Sequence, residues 1–461
     1  MAVPFCPGPS RRRFMQLGSL AMAGSGLTAL PGLAGRVGKD SDPAVIFLWL
    51  PGGPPHQDTY DMKPNAPVEY RGDFKPIKTT VPGMDICELF PMQAKRAHRF
   101  SLIRSIAHKF SDHGGGHKKF MTGRDPLSPV GFVNDYPAVG SMVQKMLGDA
   151  APGMPGYVLQ ADGGRTGIDV FSLGSAYLGP STHPFTVGGD PSRPDFQVRN
   201  LEKRENNTLK LRERLELLDS ITAPTVALSK QNGPEAFRAK ALDLVSNSTA
   251  RVAFDLSNEP EKVRAAYGWH AYGQRALMAR RLVEAGARFV TMVLESPNVL
   301  GKEWPTGVLY NWDSHAVNGH IFNDARWRFP LLDQAVSALI DDLYDRGLDK
   351  RVLLVVTGEF GRTPKVEQSV GTQTKVTQPG RDHWPQAMSV LVSGGGLKMG
   401  QVVGSTTSKA ETPKDRPLVP NDLWATVIHH LDIPYKDINF TDHSGRPMPM
   451  LPDGEPIREL V

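Results

Sequence analysis

Cysteine is almost missing from this 461-residue sequence, with only Cys6 and Cys87 present. If Cys6 leaves with a removable leader, no intramolecular disulfide can form and cross-links contribute nothing to the fold. Also missing is any block of lysine and arginine that could track a phosphate backbone. The one charged stretch, around Lys203 and Arg204, alternates with Glu202 and Glu205 and reads as a solvated helix face, so nucleic acid is not an expected partner. Internal repeats and low-complexity tracts are absent, which excludes solenoids and disordered tails. What is present is 40% hydrophobic residues in a long chain, enough to bury a large core.

The net charge of +5 is modest, and three of its positive charges sit together at Arg11, Arg12 and Arg13. They follow Ser10, precede Phe14-Met15, and lead into an apolar run of small residues over 17–33 that closes with Ala34-Gly35. This is the pattern of a twin-arginine export signal. Gly18, Gly24, Gly26 and Pro31 interrupt the run, which makes it a poor membrane span and a better cleaved leader. Residues 1–40 are therefore expected to be signal peptide and linker, read by the twin-arginine export machinery. The mature protein is expected in the periplasm or outside the cell, with no stable membrane span.

Past the leader, 44–50 is a continuous apolar run stopped by Pro51-Gly52-Gly53-Pro54-Pro55, the pattern of a buried parallel strand entering a loop. Further strands are expected at 100–106, 156–160, 288–295, 351–357 and 388–393. Apolar residues at Leu332, Ala335, Val336, Leu339, Ile340 and Leu343 form one stripe and predict a helix over 331–346, ended by Gly347. A second helix over 274–285 ends at Gly286 and feeds the strand at 288–295 in the same way. Repeated helix-to-strand units predict an α/β domain over 41–461 with a largely parallel sheet covered on both faces. The charged stretch 200–261 lacks strand patterning and is expected to be a helical insertion.

Five polar clusters fall near strand ends: His56-Gln57-Asp58; Asp112-His113-Gly114-Gly115-Gly116-His117; Asp313-Ser314-His315, with His320 nearby; Glu359; and Asp382-His383-Trp384. Any one of them is more often a turn holding a satisfied histidine than a ligand set. Five at once, on strand ends that a parallel sheet gathers along one edge, point to a shared cation or proton, because clustered carboxylates and imidazoles otherwise repel or desolvate one another. His56, Asp58, Asp313, His315, Glu359, Asp382 and His383 are the candidate metal ligands. Zinc or manganese suits such a mixed nitrogen and oxygen set, and calcium suits its carboxylates alone. Gly114, Gly115 and Gly116, at an expected helix start, are the candidate anion-binding backbone. Trp269-His270 and His429-His430 read as structural.

Several stretches resemble a known group. Val352 to Gly361, with Thr357-Gly358-Glu359-Phe360-Gly361, resembles the sulfatase and alkaline phosphatase strand that ends in Thr-x-Asp-His-Gly. Met121-Thr122-Gly123-Arg124 is similar to the close of the sulfatase nucleophile helix. Phe254-Asp255-Leu256-Ser257-Asn258-Glu259-Pro260, Tyr267-Gly268, 279–286, Gly358 to Pro364 and Gly380-Arg381-Asp382-His383-Trp384-Pro385 resemble the bacterial family called domain of unknown function 1501, over nearly the whole mature chain. The resemblance implies a three-layer alkaline-phosphatase-like fold and export, and brings no settled reaction. It also marks departures. His113 stands at the sulfatase nucleophile position, Glu359 and Phe360 stand where the superfamily has a metal-binding Asp and a His, and Pro51-Gly52-Gly53 stands where relatives carry an Asp ligand.

These residues predict a metal-dependent hydrolase of phosphate or sulfate esters, small or polysaccharide, that lacks the usual Ser, Thr or Cys nucleophile and uses metal-activated water. His113, with His117 as its equal candidate, is ligand, general acid or attacking group. Arg362 is the candidate clamp on the ester oxygens, against a simple salt bridge at equal odds. The competing expectation is an exported binding or assembly protein that keeps the fold without catalysis.

Overall fold

The computed structural model describes residues 42–130, 134–162, 171–198 and 247–461, with isolated residues 201, 213, 243 and 244. The expected export signal and most of the expected insertion at 200–261 lie outside the described residues. From 249 onward the described chain carries short helices at Thr249–Phe254 and Glu261–Tyr267.

Eight strands form the central sheet: β1 (Ala44–Trp49), β2 (Phe100–Ile106), β3 (Tyr157–Ala161), β4 (Phe185–Gly188), β5 (Phe289–Val293), β6 (Val352–Thr357), β7 (Met388–Gly394) and β8 (Val402–Val403), in the order β8-β2-β7-β6-β1-β5-β3-β4. β1 runs parallel to both neighbours, with Phe47 opposite Thr291 of β5 and Val355 of β6. Only β7 is reversed, antiparallel to β2 and β6. That reversal was not legible from its apolar run, which reads the same in either direction.

Every residue of β1 is buried, because helices cover both faces. Ala44, Ile46 and Leu48 face one core, built with α3 (Ala271–Glu284) and α4 (Ile321–Asp345). Val45, Phe47 and Trp49 face the other, built with α1 (His113–Thr122), α2 (Val139–Leu147) and α5 (Pro420–His430). Sequestering each such side chain contributes roughly 1.5–3 kcal/mol, which makes this strand the axis of a three-layer α/β sandwich. Aromatic packing on the second face sets the position of α1. Phe47 and Trp49 pack on Phe120 of α1 at ring-centroid distances of 6.4 and 5.4 Å, and the Trp424 indole N–H donates to the Phe120 carbonyl at 2.5 Å. Helix α1 is thereby pinned over the C-terminal end of β1.

Helix α4 starts ten residues before the expected 331, running through Pro330. Proline there lacks the N–H that would bond the carbonyl one turn back, but the Arg328–Asp324 pair (2.8 Å) and the His320 cap hold the preceding turns. Among the described residues no helix is long and apolar enough to cross a membrane.

His270 is structural, as expected. Its Nδ1 accepts from the Gly273 N–H (3.1 Å) and caps α3. Burial pulls its pKa down to about 4, with the Gln334 contact opposing. The unfolded chain thus takes up this proton first, so the stabilisation is full above pH 6.5 and is lost as pH falls toward 4. His270→Asn keeps an acceptor that does not titrate. Urea unfolding of the variant should show a loss over this acid range smaller than the parent's by roughly 2–3 kcal/mol, and an unchanged pH slope would refute the assignment.

Candidate metal centre

The C-terminal ends of β1, β2, β5 and β6 lie along one edge, and the reversed β7 brings the loop before it to the same edge. Each contributes part of one polar cluster. Helix α1, entered from β2, is capped by Asp112, whose Oδ1 accepts from the Gly115 N–H at 2.7 Å. Its first residue is His113, and His117 follows one turn later on the same face.

Glu359 follows β6 and is wholly buried. Both its oxygens accept from the Gly52 N–H, at 2.9 and 3.1 Å. Gly52 has φ of +108°, and a Cβ there would sit 2.5 Å from the Asp313 nitrogen. Only glycine fits at this position, because the backbone passes between two loops and supplies a donor. Glu359 Oε1 also lies 2.9 Å from His113 Nδ1 and 3.3 Å from His117 Nε2.

Asp313 sits in the loop between β5 and α4. Its Oδ1 lies 2.9 Å from His315 Nε2, 3.1 Å from His383 Nε2 and 3.4 Å from His113 Nε2, and the first two nitrogens are 2.9 Å apart. His383 reaches this point on a two-residue strand paired with Gly361–Arg362, in register with Arg362. Gly380 lets that strap pass the loop carrying His315, since a Cβ there would meet the Ala316 nitrogen at 1.9 Å.

Among the described residues two donor groups emerge, His113, Asp313, His315 and His383, and His113, His117 and Glu359, the donor atoms of each lying within 4.8 Å of one another. With bonds of about 2.0–2.1 Å to a divalent ion, ligand atoms stand about 2.9–3.4 Å apart along the edges of an octahedron or tetrahedron. The six separations given above, 2.9 to 3.4 Å, fall in that range. Asp382 Oδ1, 3.3 Å from His315 Nδ1, stands behind the ring as carboxylates commonly do behind histidine ligands. The donor set therefore fits a divalent cation.

The electrostatics agree. Burial alone would raise the Glu359 carboxyl, but the His117 charge and the His113 hydrogen bond outweigh it and hold the group well below its usual range. Burial likewise pushes Asp313 up, and hydrogen bonds from His113, His315 and His383, aided by the Arg362 charge, bring it far down. For His113, burial lowers the pKa, and the two carboxylates reverse this and raise it to about 9. Burial lowers His383.

Five expectations are corrected. Asp58 is no ligand: Arg381 takes both its oxygens, at 2.8 and 3.1 Å, in a fully buried pair. His56 turns its Nε2 to the Ala410 carbonyl at 2.9 Å and stays outside both donor groups. Gly115 and Gly116 are buried against protein, and Gly114 is packed as closely. Added Cβ atoms would meet Pro129 at 2.3 Å from Gly114, Asp112 at 2.6 Å from Gly115 and Phe360 at 2.9 Å from Gly116, so these glycines serve close packing of α1 and leave no anion cradle. The guanidinium of Arg362 is buried and bonded to carbonyls of Gly52, Gly53, Trp312 and Arg381 and to Asp313 Oδ1 (2.7 Å), so it is not presented to an ester. Asp382 lies one shell further out than expected. Reading by residue missed His108, whose Nε2 lies 2.6 Å from the Glu359 carbonyl oxygen, and Arg381; the four-residue spacing of His113 and His117 was the available signal for a shared helix face.

Replacing Arg362 by Met should cost about 3–5 kcal/mol of stability in urea unfolding, because Asp313 and four carbonyls lose a buried partner. A clamp on substrate would instead leave stability intact and raise KM alone.

No curated protein matches the chain. Solved structures resembling it include Ps i-CgsB in complex with k-i-k-neocarrahexaose, 10% identical with a TM-score of 0.38 over 90% of this chain and 75% of that one. The phosphonate monoester hydrolase of Silicibacter pomeroyi is 11% identical, TM-score 0.37, over 91% and 76%. A protein of the alkaline phosphatase superfamily from Vibrio parahaemolyticus is 11% identical, TM-score 0.36, over 92% and 76%. A family model described as protein of unknown function, DUF1501, matches residues 42–461, and the chain belongs to that family.

Proposed function

We infer that the protein is an exported, metal-dependent hydrolase of phosphate or sulfate esters that works without a Ser, Thr or Cys nucleophile. One observation carries this reading: Asp313, His315, His383 and His113, from a loop, a short strand and a helix start, bring four donor atoms within 4.8 Å of one another at the open edge of the sheet. A divalent cation held there, zinc or manganese, supplies Lewis-acid polarisation of an anionic ester oxygen and activation of water near neutral pH.

The chain's own groups do the rest. Asp313 offers its oxygen from a position fixed by Arg362 and by the Asn318 side-chain amide (3.0 Å to Oδ2). Asp382, more than half exposed at 56%, sets its Oδ1 3.3 Å from His315 Nδ1, across the ring from the Nε2 that faces Asp313. Phe360 stacks against His383 (centroids 4.6 Å apart) and His113 (5.5 Å), which keeps water off one side of the centre. Both nitrogens of His113 face carboxylates, which supports a holding role for this ring over attack on the ester. The exposed fifth to third of the His113, Asp313 and His315 side chains leaves an opening for an ester group. Export through the twin-arginine pathway would deliver the protein folded, with its cation already bound.

The test is metal analysis of the mature protein followed by assay with aryl phosphate and aryl sulfate esters. Stoichiometric zinc or manganese and turnover of one ester class are expected. Asp382→Asn should weaken cation affinity about 10–100-fold, and His383→Ala should lose turnover by more than Asp382→Asn does. A protein that folds normally without cation would sink the reading, and tight cation with no turnover of any ester would leave a binding protein on the same scaffold. Replacing Arg12 and Arg13 by Lys should retain the precursor inside the cell, as fractionation would show.

A further inference from the structure

Resting on that metal reading, we propose that the His113 imidazole bridges two cation sites of unequal character, an outer one that meets substrate and an inner one sealed in protein. Both nitrogens of this one ring point at carboxylates. Nδ1 is 2.9 Å from Glu359 Oε1 and Nε2 is 3.4 Å from Asp313 Oδ1. A neutral imidazole has one N–H and cannot donate at both ends. The ring is therefore an imidazolium between two anions, a neutral ring that donates from Nδ1 to Glu359 and offers Nε2 to one cation, or, with its N–H proton released to solvent on metal binding, an imidazolate that lends a lone pair to each of two cations.

The surroundings favour two cations when metal is available. On the Nε2 side stand His315, His383 and Asp313; on the Nδ1 side stand His117 and Glu359. Neither side is a lone acidic group, and each has donor separations matching the edges of a coordination shell. His117 Nε2 is 3.3 Å from Glu359 Oε1. The two sides differ in access. On the inner side the His117 side chain is 1% exposed and Glu359 0%, with Trp49 edge-on to His117 at 5.4 Å and the Gly52 amide capping the carboxylate. Outer ligands are 16–31% exposed.

The ring also sets the spacing. With ligand bonds of about 2.0–2.1 Å at opposite nitrogens, two ions stand roughly 6 Å apart, against about 3.5–4 Å in sites where both ions grip one phosphoryl group. One ester oxygen cannot touch both. The outer cation alone engages the ester, and the inner one fixes His113 and offsets the buried charge of Glu359. The inner site should exchange slowly and the outer one quickly.

The experiment uses the mature full chain, stripped with chelator and reloaded with Cu(II) as an EPR probe, alongside zinc titration. Two equivalents per chain are expected, one released slowly to chelator, and the two Cu(II) ions should couple magnetically across the imidazole so that the isolated-ion signal is lost at full loading. His117→Gln, which keeps side-chain bulk, should bind one equivalent with an uncoupled signal. A parent that takes a single equivalent and turns over ester overturns the bridge and leaves the hydrolase reading standing. Two equivalents with independent signals overturn it as well. No cation at all overturns both readings. The parent's stoichiometry and coupling decide the matter even if the variant fails to fold.

Discussion

The buried guanidinium of Arg362 is the fastening on which the candidate metal centre depends. It touches carbonyls after β1, the backbone and carboxylate of the loop after β5, and the strap before β7, so three loops distant in sequence share one ion. A charge removed from water costs several kcal/mol unless fully paired, and here the pairing makes any drift of those loops expensive. Arg381 repeats the device nearby, holding Asp58 and the carbonyls of Tyr70, Thr363 and Pro364. Between them these side chains convert flexible strand-end connections into a scaffold stiff enough to keep four donor atoms converged.

Charge balance comes from the same arrangement. Asp313 and Glu359 are both held ionised in a largely dry place, with Arg362, among the described residues, as the one permanent positive charge in contact, on Asp313. Imidazoles make up the difference, either as proton carriers or as ligands. Three imidazole nitrogens around one carboxylate oxygen repel if all are protonated and leave lone pairs facing one another if none is. A cation at the centre resolves both conflicts, which is the physical content of the metal reading.

Much of this was legible in the sequence. The buried strands 100–106 and 351–357 stand out as apolar runs, and the polar residues just beyond strand ends mark Asp313, His315, Glu359 and His383 as candidates. What could not be read was partnership. Asp58 beside His56 has the same local pattern as a ligand pair, and only the fold brings Arg381, 323 residues away, onto it. Arg362 beside Glu359 suggested a shared ligand, yet Arg362 lies in an extended strand, where side chains alternate between faces, and it turns into the protein. Three successive glycines suggest an anion cradle and equally a helix squeezed against Pro129 and Phe360; the distinction lies in what packs above them.

The residues of the centre hold one another in place. Glu359, one methylene longer than an aspartate, spans from the Gly52 amide to His113 and His117. Gly52, three residues beyond the end of β1, offers a backbone donor where a side chain would press into the Asp313 loop. Phe360 is the wall against which the His113 and His383 rings pack. His113 meets a carboxylate at each nitrogen. Replacing Gly52, Glu359 or His113 alone would leave a buried donor or acceptor unpaired or force two loops apart, so the geometry of the centre stands or falls as a set.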